Sequence, residues 1–162
     1  MIVVKAIGSC LKLAAVLSAV SVLAHSSVPA AKNMAIVVSA GSKITDVPLA
    51  ELTKLCKGLQ KAWPDGKPFT LVMKDPESPE MRTVVQKLFG AAPGDVKSII
   101  AKLNEARMVV KIVESDEELL RMVGATPGAV GILDVYSINS SVKVLRVDGK
   151  LPFDLGYVFK GN

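Results

Sequence analysis

The sequence predicts an α/β domain in which a mixed or mainly parallel sheet is sandwiched by helices. Two observations carry this. Short, unbroken apolar runs of strand length punctuate the chain, and between them lie longer segments whose apolar residues recur at helical spacing. The two patterns alternate along nearly all of the chain after residue 33, as strands joined by crossover helices require. At 162 residues there is room for one compact domain with its own core, and too little for two of ordinary size.

Residues 1–24 read as an export signal. Lys5 and Lys12 lead into an uninterrupted apolar stretch from Leu13 to Ala24, followed by His25-Ser26-Ser27. That stretch falls short of the roughly 20 residues a membrane-spanning helix needs. Cleavage after Ala24 is the first reading and cleavage after Ala30 the second; retention as an N-terminal anchor is the alternative. Residues 25–33 form a flexible leader, and 34–162 form the α/β domain.

Ala35–Val38 is apolar without alternation, which suits a strand covered on both faces. Ser39-Ala40-Gly41-Ser42 ends it. A helix starts at Asp46-Val47-Pro48, with Leu49, Leu52, Leu55, Cys56 and Leu59 on one face and Gly58 near its end. The turn formers Trp63 to Pro68 precede a strand over Phe69–Met73. A second helix begins near Pro79, buries Met81, Val84, Val85, Leu88 and Phe89, and stops at Gly90. A third covers roughly Asp95–Asn104, and Met108–Val113 is strand-like. Ser115 to Glu118 fit a capping box before Leu119 and Leu120. After Thr126-Pro127-Gly128, two more strands follow at Ala129–Leu133 and Val142–Val147.

Composition excludes several functions. The formal net charge is +5, and loss of residues 1–24 removes two of the lysines and no acid, leaving a mild basic surplus. There is no Arg-rich stripe with interleaved aromatics, so nucleic acid is not the expected partner. With one histidine, His25, in the leader, neither a metal cluster nor a base for a nucleophilic Cys56 is evident. Cys10 leaves with the signal, so Cys56 has no partner for a disulfide. We expect no enzyme, no catalytic residues, no cofactor and no metal.

The chemistry that remains is anion binding. A strand that delivers the chain to an open helix N-terminus leaves N–H groups unpaired at the positive end of a dipole. Lys74 at the end of the Phe69–Met73 strand, the hydroxyl of Ser78 and Arg82 one helical turn on make one set of candidate ligands. Ser39, Gly41 and Ser42, just after the first strand, make a second set expected at the same crevice edge. Each has a plainer alternative. Ser78 with Pro79 behind it is a common helix start, Arg82 suits a solvent ion pair, and Ser39–Ser42 suits an ordinary strand exit. Trp63 is a turn anchor or a stacking platform. Asp134 and Tyr136 follow a strand toward the crevice, and Gly128 and Gly131 serve a turn and close packing.

Several blocks resemble, in order, the periplasmic phosphate-binding proteins of ABC importers: Leu49 to Gly58, Trp63-Pro-Asp-Gly-Lys-Pro68, the strand and helix start around Ser78, Thr126 to Gly131, and Val142 to Gly149. The resemblance implies one lobe of a type II periplasmic binding protein in a short, single-lobe member. It further implies phosphate or a related oxyanion as ligand, an ABC importer membrane component as partner, and a periplasmic or secreted location; a homodimer would replace the missing lobe. The alternative is a periplasmic interaction or scaffold module that keeps the fold and binds no ligand. In that family an Arg, with three residues after it, precedes Ser-Gly-Thr at the helix start. Lys74 and Ser78 fall on the Arg and Ser, whereas Pro79 and Glu80 replace Gly and Thr. Proline deletes an N–H donor, and Glu80 brings a carboxylate to where an anion would sit.

Overall fold

The computed structural model describes residues 32–107 and 109–161. The signal expected over 1–24 and most of the leader expected over 25–33 lie outside the described residues.

The strands are β1 (Met34–Ser39), β2 (Asp46–Val47), β3 (Thr70–Met73), β4 (Val110–Ile112), β5 (Ala129–Asp134), β6 (Val142–Val144) and β7 (Arg146–Val147). The helices are α1 (Leu49–Cys56), α2 (Arg82–Phe89), α3 (Val96–Ala106) and α4 (Asp116–Ala125). Five strands form one sheet in the order β4-β3-β5-β1-β6, and β2 pairs in parallel with β7 in a separate ribbon. In the main sheet β3 is parallel to β4 and to β5, whereas β1 is antiparallel to both β5 and β6. The sheet is therefore mixed, and β1 is its one reversed strand.

Side chains of β1 explain the layering. Met34, Ile36 and Val38 point into a core shared with Leu52 and Leu55 of α1, Val84 and Leu88 of α2 and Val96 of α3. Ala35 and Val37 point the other way, toward Leu119 and Val123 of α4. An apolar run with no polar face is what a strand between two helix layers needs. The α4 side is lined by small residues because that helix lies close: a Cβ on Gly131 would meet Leu119 Cδ2 at 2.7 Å and Val123 Cγ2 at 2.9 Å. Cys56 is fully buried, and burial pushes its thiol pKa well up, which keeps it protonated.

Four local differences from the sequence reading have physical causes. The first helix begins at Leu49, three residues later than Asp46, because Asp46–Val47 is held extended by β7. Leu59 is 76% exposed instead of inward-facing, because Gly58 at φ 70 reverses the chain before it. The helix expected at Pro79 opens as a 3₁₀ turn, Pro79–Met81, and becomes α-helical at Arg82. The last strand divides at Leu145: Leu145 N–H still bonds Ile36 O at 2.8 Å, but Arg146 N–H bonds Thr45 O at 3.0 Å, so the chain changes partners there.

Caps are made across long stretches of sequence as well as locally. No side chain at Pro48 caps α1; Asp148 does so instead, its Oδ1 accepting from Leu49 N–H at 3.0 Å. Asp148 itself sits at φ 52, and Gly149 N–H donates to Asp46 Oδ1 at 3.0 Å, so the turn and the helix start brace each other. For α4, Ser115 Oγ accepts from Glu118 N–H at 3.1 Å. Glu118 Oε2 in turn accepts from Glu114 N–H at 3.3 Å, one residue earlier than a standard capping box.

Asp148→Ala removes the acceptor and leaves a residue less tolerant of φ 52, so we expect a loss of about 1–2 kcal/mol in urea melts. Asp148→Asn retains most of the stability. At Gly128, with φ 85 and a Cβ position 2.3 Å from Pro68 O, an alanine costs about 3 kcal/mol or more by the same measurement.

Candidate functional site

The chain leaves β3 toward the face that carries α2 and α3, and leaves β4 toward the face that carries α4. Connections that depart to opposite faces of adjacent strands open a crevice beyond their C-terminal ends. A crevice of about 490 Å³ lies there, lined by Lys74, Asp75, Pro76, Ser78, Glu80, Lys97, Ile112, Val113 and Glu114.

Lys74 stands at the end of β3 between two carboxylates. Its Nζ is 2.8 Å from Asp116 Oδ1 in the first turn of α4 and 3.5 Å from Glu80 Oε1. Glu80 is held from the other side by Lys32, whose Nζ is 2.9 Å from Oε2 and 3.8 Å from Asp134 Oδ2. Ser137 Oγ donates to Asp116 Oδ2 at 2.7 Å. Two lysines against three carboxylates leave this cluster net negative.

The charges reinforce one another. For Lys74, partial burial works against the ammonium, but Asp116 and then Glu80 outweigh it and raise its pKa. Hydrogen bonding to Lys32 is the main reason the Glu80 carboxyl lies below its ordinary value, with Lys74 adding to it against the effect of burial. Burial also opposes the charge on Asp116, and the bonds from Lys74 and Ser137 overcome it, again lowering the pKa. Lys32 is raised chiefly by its bond to Glu80.

The hydroxyl of Ser78 takes no part in this network. It sits before the Pro79–Met81 turn without making a side-chain cap, and its Oγ is buried with no hydrogen-bond partner among the described residues. A buried hydroxyl left unpaired costs about 1–3 kcal/mol. Arg82, the first residue of α2, is exposed and is not among the crevice residues.

Ser39, Gly41 and Ser42 do not meet Lys74 and Ser78. They were expected at the same crevice edge, but β1 runs antiparallel to β5 and β5 runs parallel to β3, so the C-terminal end of β1 lies at the N-terminal ends of its neighbours. The two groups occupy opposite ends of the sheet. Ser39 Oγ donates to Gly124 O at 3.2 Å, Ser42 Oγ accepts from Ile44 N–H at 3.2 Å, and Ser42 O accepts from Lys143 Nζ. With Gly41 they line a separate pocket of about 240 Å³ beside Trp63, Lys67 and Gly128. Trp63 serves the turn: its Nε1–H donates to Gly128 O at 2.9 Å and its ring packs edge-on to Phe69 at 5.7 Å. Asp134 joins the charged cluster, whereas Tyr136 turns outward against Phe153 at 6.4 Å.

The sequence reading missed Lys32 and Asp116 as members of the site. Asp116 looks like an ordinary acidic first-turn residue, and only the pairing of β4 with β3 sets it against Lys74. Lys32 lies in the leader, and no pattern in the sequence marks it. Among the described residues no group of three side chains is placed to hold a metal ion, and no helix is long and apolar enough to cross a membrane.

The shifts fix a pH dependence. Glu80 and Asp116, with lowered pKa values, stabilise the fold above their ordinary values of 4.5 and 3.8, and that contribution is lost as pH falls through the folded values. Lys32 and Lys74, raised, contribute fully below 10.5 and lose it as pH climbs past their folded values. We expect the urea midpoint to drop below pH 4.5 in the wild type and to fall less steeply in Glu80→Gln/Asp116→Asn.

No protein-family model matches the chain, and no curated protein matches it in sequence. Solved structures do match its fold. An ABC-type phosphate transport receptor from Vibrio cholerae superposes with a TM-score of 0.59 at 18% identity, over 75% of this chain and 48% of that one. PstS from Borrelia burgdorferi gives a TM-score of 0.59 at 19% identity, over 81% and 55%. A phosphate-binding protein from Stenotrophomonas maltophilia gives 0.57 at 15% identity, over 75% and 40%. The chain spans about half the length of the receptors it matches. At these identities the likeness is one of fold, and this chain has the fold of such receptors over about half of their length.

Proposed function

We propose that the chain is an exported solute-binding domain that holds phosphate or a related oxyanion in the crevice beyond β3 and β4. The observation that carries the reading is the buried, unpartnered hydroxyl of Ser78 lining the same crevice as Lys74. A hydroxyl donor and an ammonium at the C-terminal edge of parallel strands is a chemistry that accepts an oxyanion. The fold shared with phosphate receptors supports the same reading. Export with removal of residues 1–24 and delivery to an ABC importer membrane component belong to this proposal, as does a homodimer that closes the open crevice.

Binding on these terms is weak and competitive. The anion must displace Glu80 from Lys74, and it approaches a cluster that is net negative. Arg82, Ser39, Gly41 and Ser42 take no part. One observation favours a second reading: Lys74 is already neutralised between Glu80 and Asp116, as in an interaction module that keeps the fold and has closed its anion corner.

Thermal melts against phosphate, sulfate and arsenate, with chloride matched for ionic strength, separate the two. For the binder the melting temperature rises with oxyanion, by about 2.7 kcal/mol of added stability at a hundredfold excess over Kd. The rise is larger in Glu80→Gln and is lost in Lys74→Ala. A flat response across the panel in both the wild type and Glu80→Gln, joined to a concentration-dependent increase in mass or a captured partner, establishes the interaction module instead.

A further inference from the structure

At the end of α1 the segment Lys54-Leu-Cys-Lys-Gly-Leu-Gln-Lys61 stops the helix with a pair of reversed hydrogen bonds. Leu59 N–H bonds Lys54 O at 2.9 Å and Gly58 N–H bonds Leu55 O at 3.1 Å, with Gly58 in the left-handed conformation. In such a stop the residue after the glycine ordinarily packs against the side chain on the last helical turn. Here that side chain is Lys54, which is exposed, and Leu59 is left 76% exposed at the reversal.

The surroundings of Leu59 are cationic. Lys54, Lys57 and Lys61 are all exposed. α1 packs on α2, and Lys57 Nζ lies 3.6 Å from where a Cβ on Gly90 would sit, just past the last turn of α2 with its exposed Lys87. Among the described residues none of these four lysines is in an ion pair. Favourable placement at helix C-termini accounts for lysines there, but not for a protruding leucine in their midst.

We propose that this corner docks on an anionic lipid bilayer, with Leu59 entering the acyl boundary and Lys54, Lys57, Lys61 and Lys87 seated among the headgroups. The charges are complementary, because unpaired ammonium groups face phosphate-bearing lipid. Each lysine near such a surface strengthens partitioning roughly fivefold. Lysine stems lie along the apolar boundary while the ammonium groups reach the headgroups. A single leucine adds only marginal insertion, so docking is reversible and salt-sensitive. The surface is separate from the crevice, and the proposal does not depend on oxyanion binding.

The test places a reporter at the tip itself. Full-length Leu59→Trp is mixed with vesicles of brominated phosphatidylglycerol or brominated phosphatidylcholine, and tryptophan emission is followed. Trp63, buried in the core, gives a constant background. The triple-Gln background used below keeps the apolar stretch Leu13–Ala24, so any association of that stretch with the vesicles is common to both proteins and drops out of the comparison. We expect a blue shift and quenching with phosphatidylglycerol, reversal by salt, and roughly a hundredfold weaker partitioning when Lys54, Lys57 and Lys61 are all changed to Gln. Unchanged emission with phosphatidylglycerol overturns the proposal, as does equal quenching with phosphatidylcholine or in the triple-Gln background. A response to poly-glutamate in place of phosphatidylglycerol overturns it in favour of an acidic protein partner.

Discussion

The rest of the structure is arranged around β1, a strand buried on both faces and hydrogen-bonded along both edges, running against its neighbours β5 and β6. Its alternate side chains join two cores, with Met34, Ile36 and Val38 on the three-helix side and Ala35 and Val37 on the α4 side. An element so placed has no solvent-facing position at which a register slip is tolerated, because a one-residue shift would exchange the larger and smaller sets between the two layers. The reversed direction of β1 also decides which loops meet. The ends of β3, β4 and β5 gather Lys74, Asp116 and Asp134 at one end of the sheet, and the exit from β1 goes to the other.

That gathering produces a charged cluster whose strength is limited by its exposure. Lys74, Glu80 and Asp116 keep about a quarter of their side-chain surface in solvent, so each pair is worth far less than a dry ion pair and is open to exchange. Glu80 and Asp116 hold Lys74 from two sides, and the unpaired hydroxyl of Ser78 lines the same crevice. The likeness to phosphate receptors extends over about half their length.

Much of the fold was legible from residue pattern, since its signals act over a few positions. The unbroken run at Ala35–Val38 marked a strand covered on both faces, Gly90 marked a helix stop and lies at φ 68, and Ser115 marked a cap and accepts from Glu118 N–H. The site was legible only by halves. Lys74 and Ser78 stood out as candidates because a strand leading to a Ser-Pro helix start is a local pattern, and both line one crevice. Ser39, Gly41 and Ser42 were grouped with them wrongly, because an apolar run has the same composition whichever way the strand runs.

The sequence by itself determined the main strands and helices, their order and the two buried faces of the sheet. Tertiary structure alone decided strand direction, the capping of α1 by Asp148 from 99 residues away, the exposure of Leu59 and the pairing of Lys74 with Asp116. The division has a physical reason. Side-chain periodicity and turn chemistry act between near neighbours along the chain, whereas hydrogen-bond partners across a sheet and charges brought together at its edge are fixed only once distant segments pack.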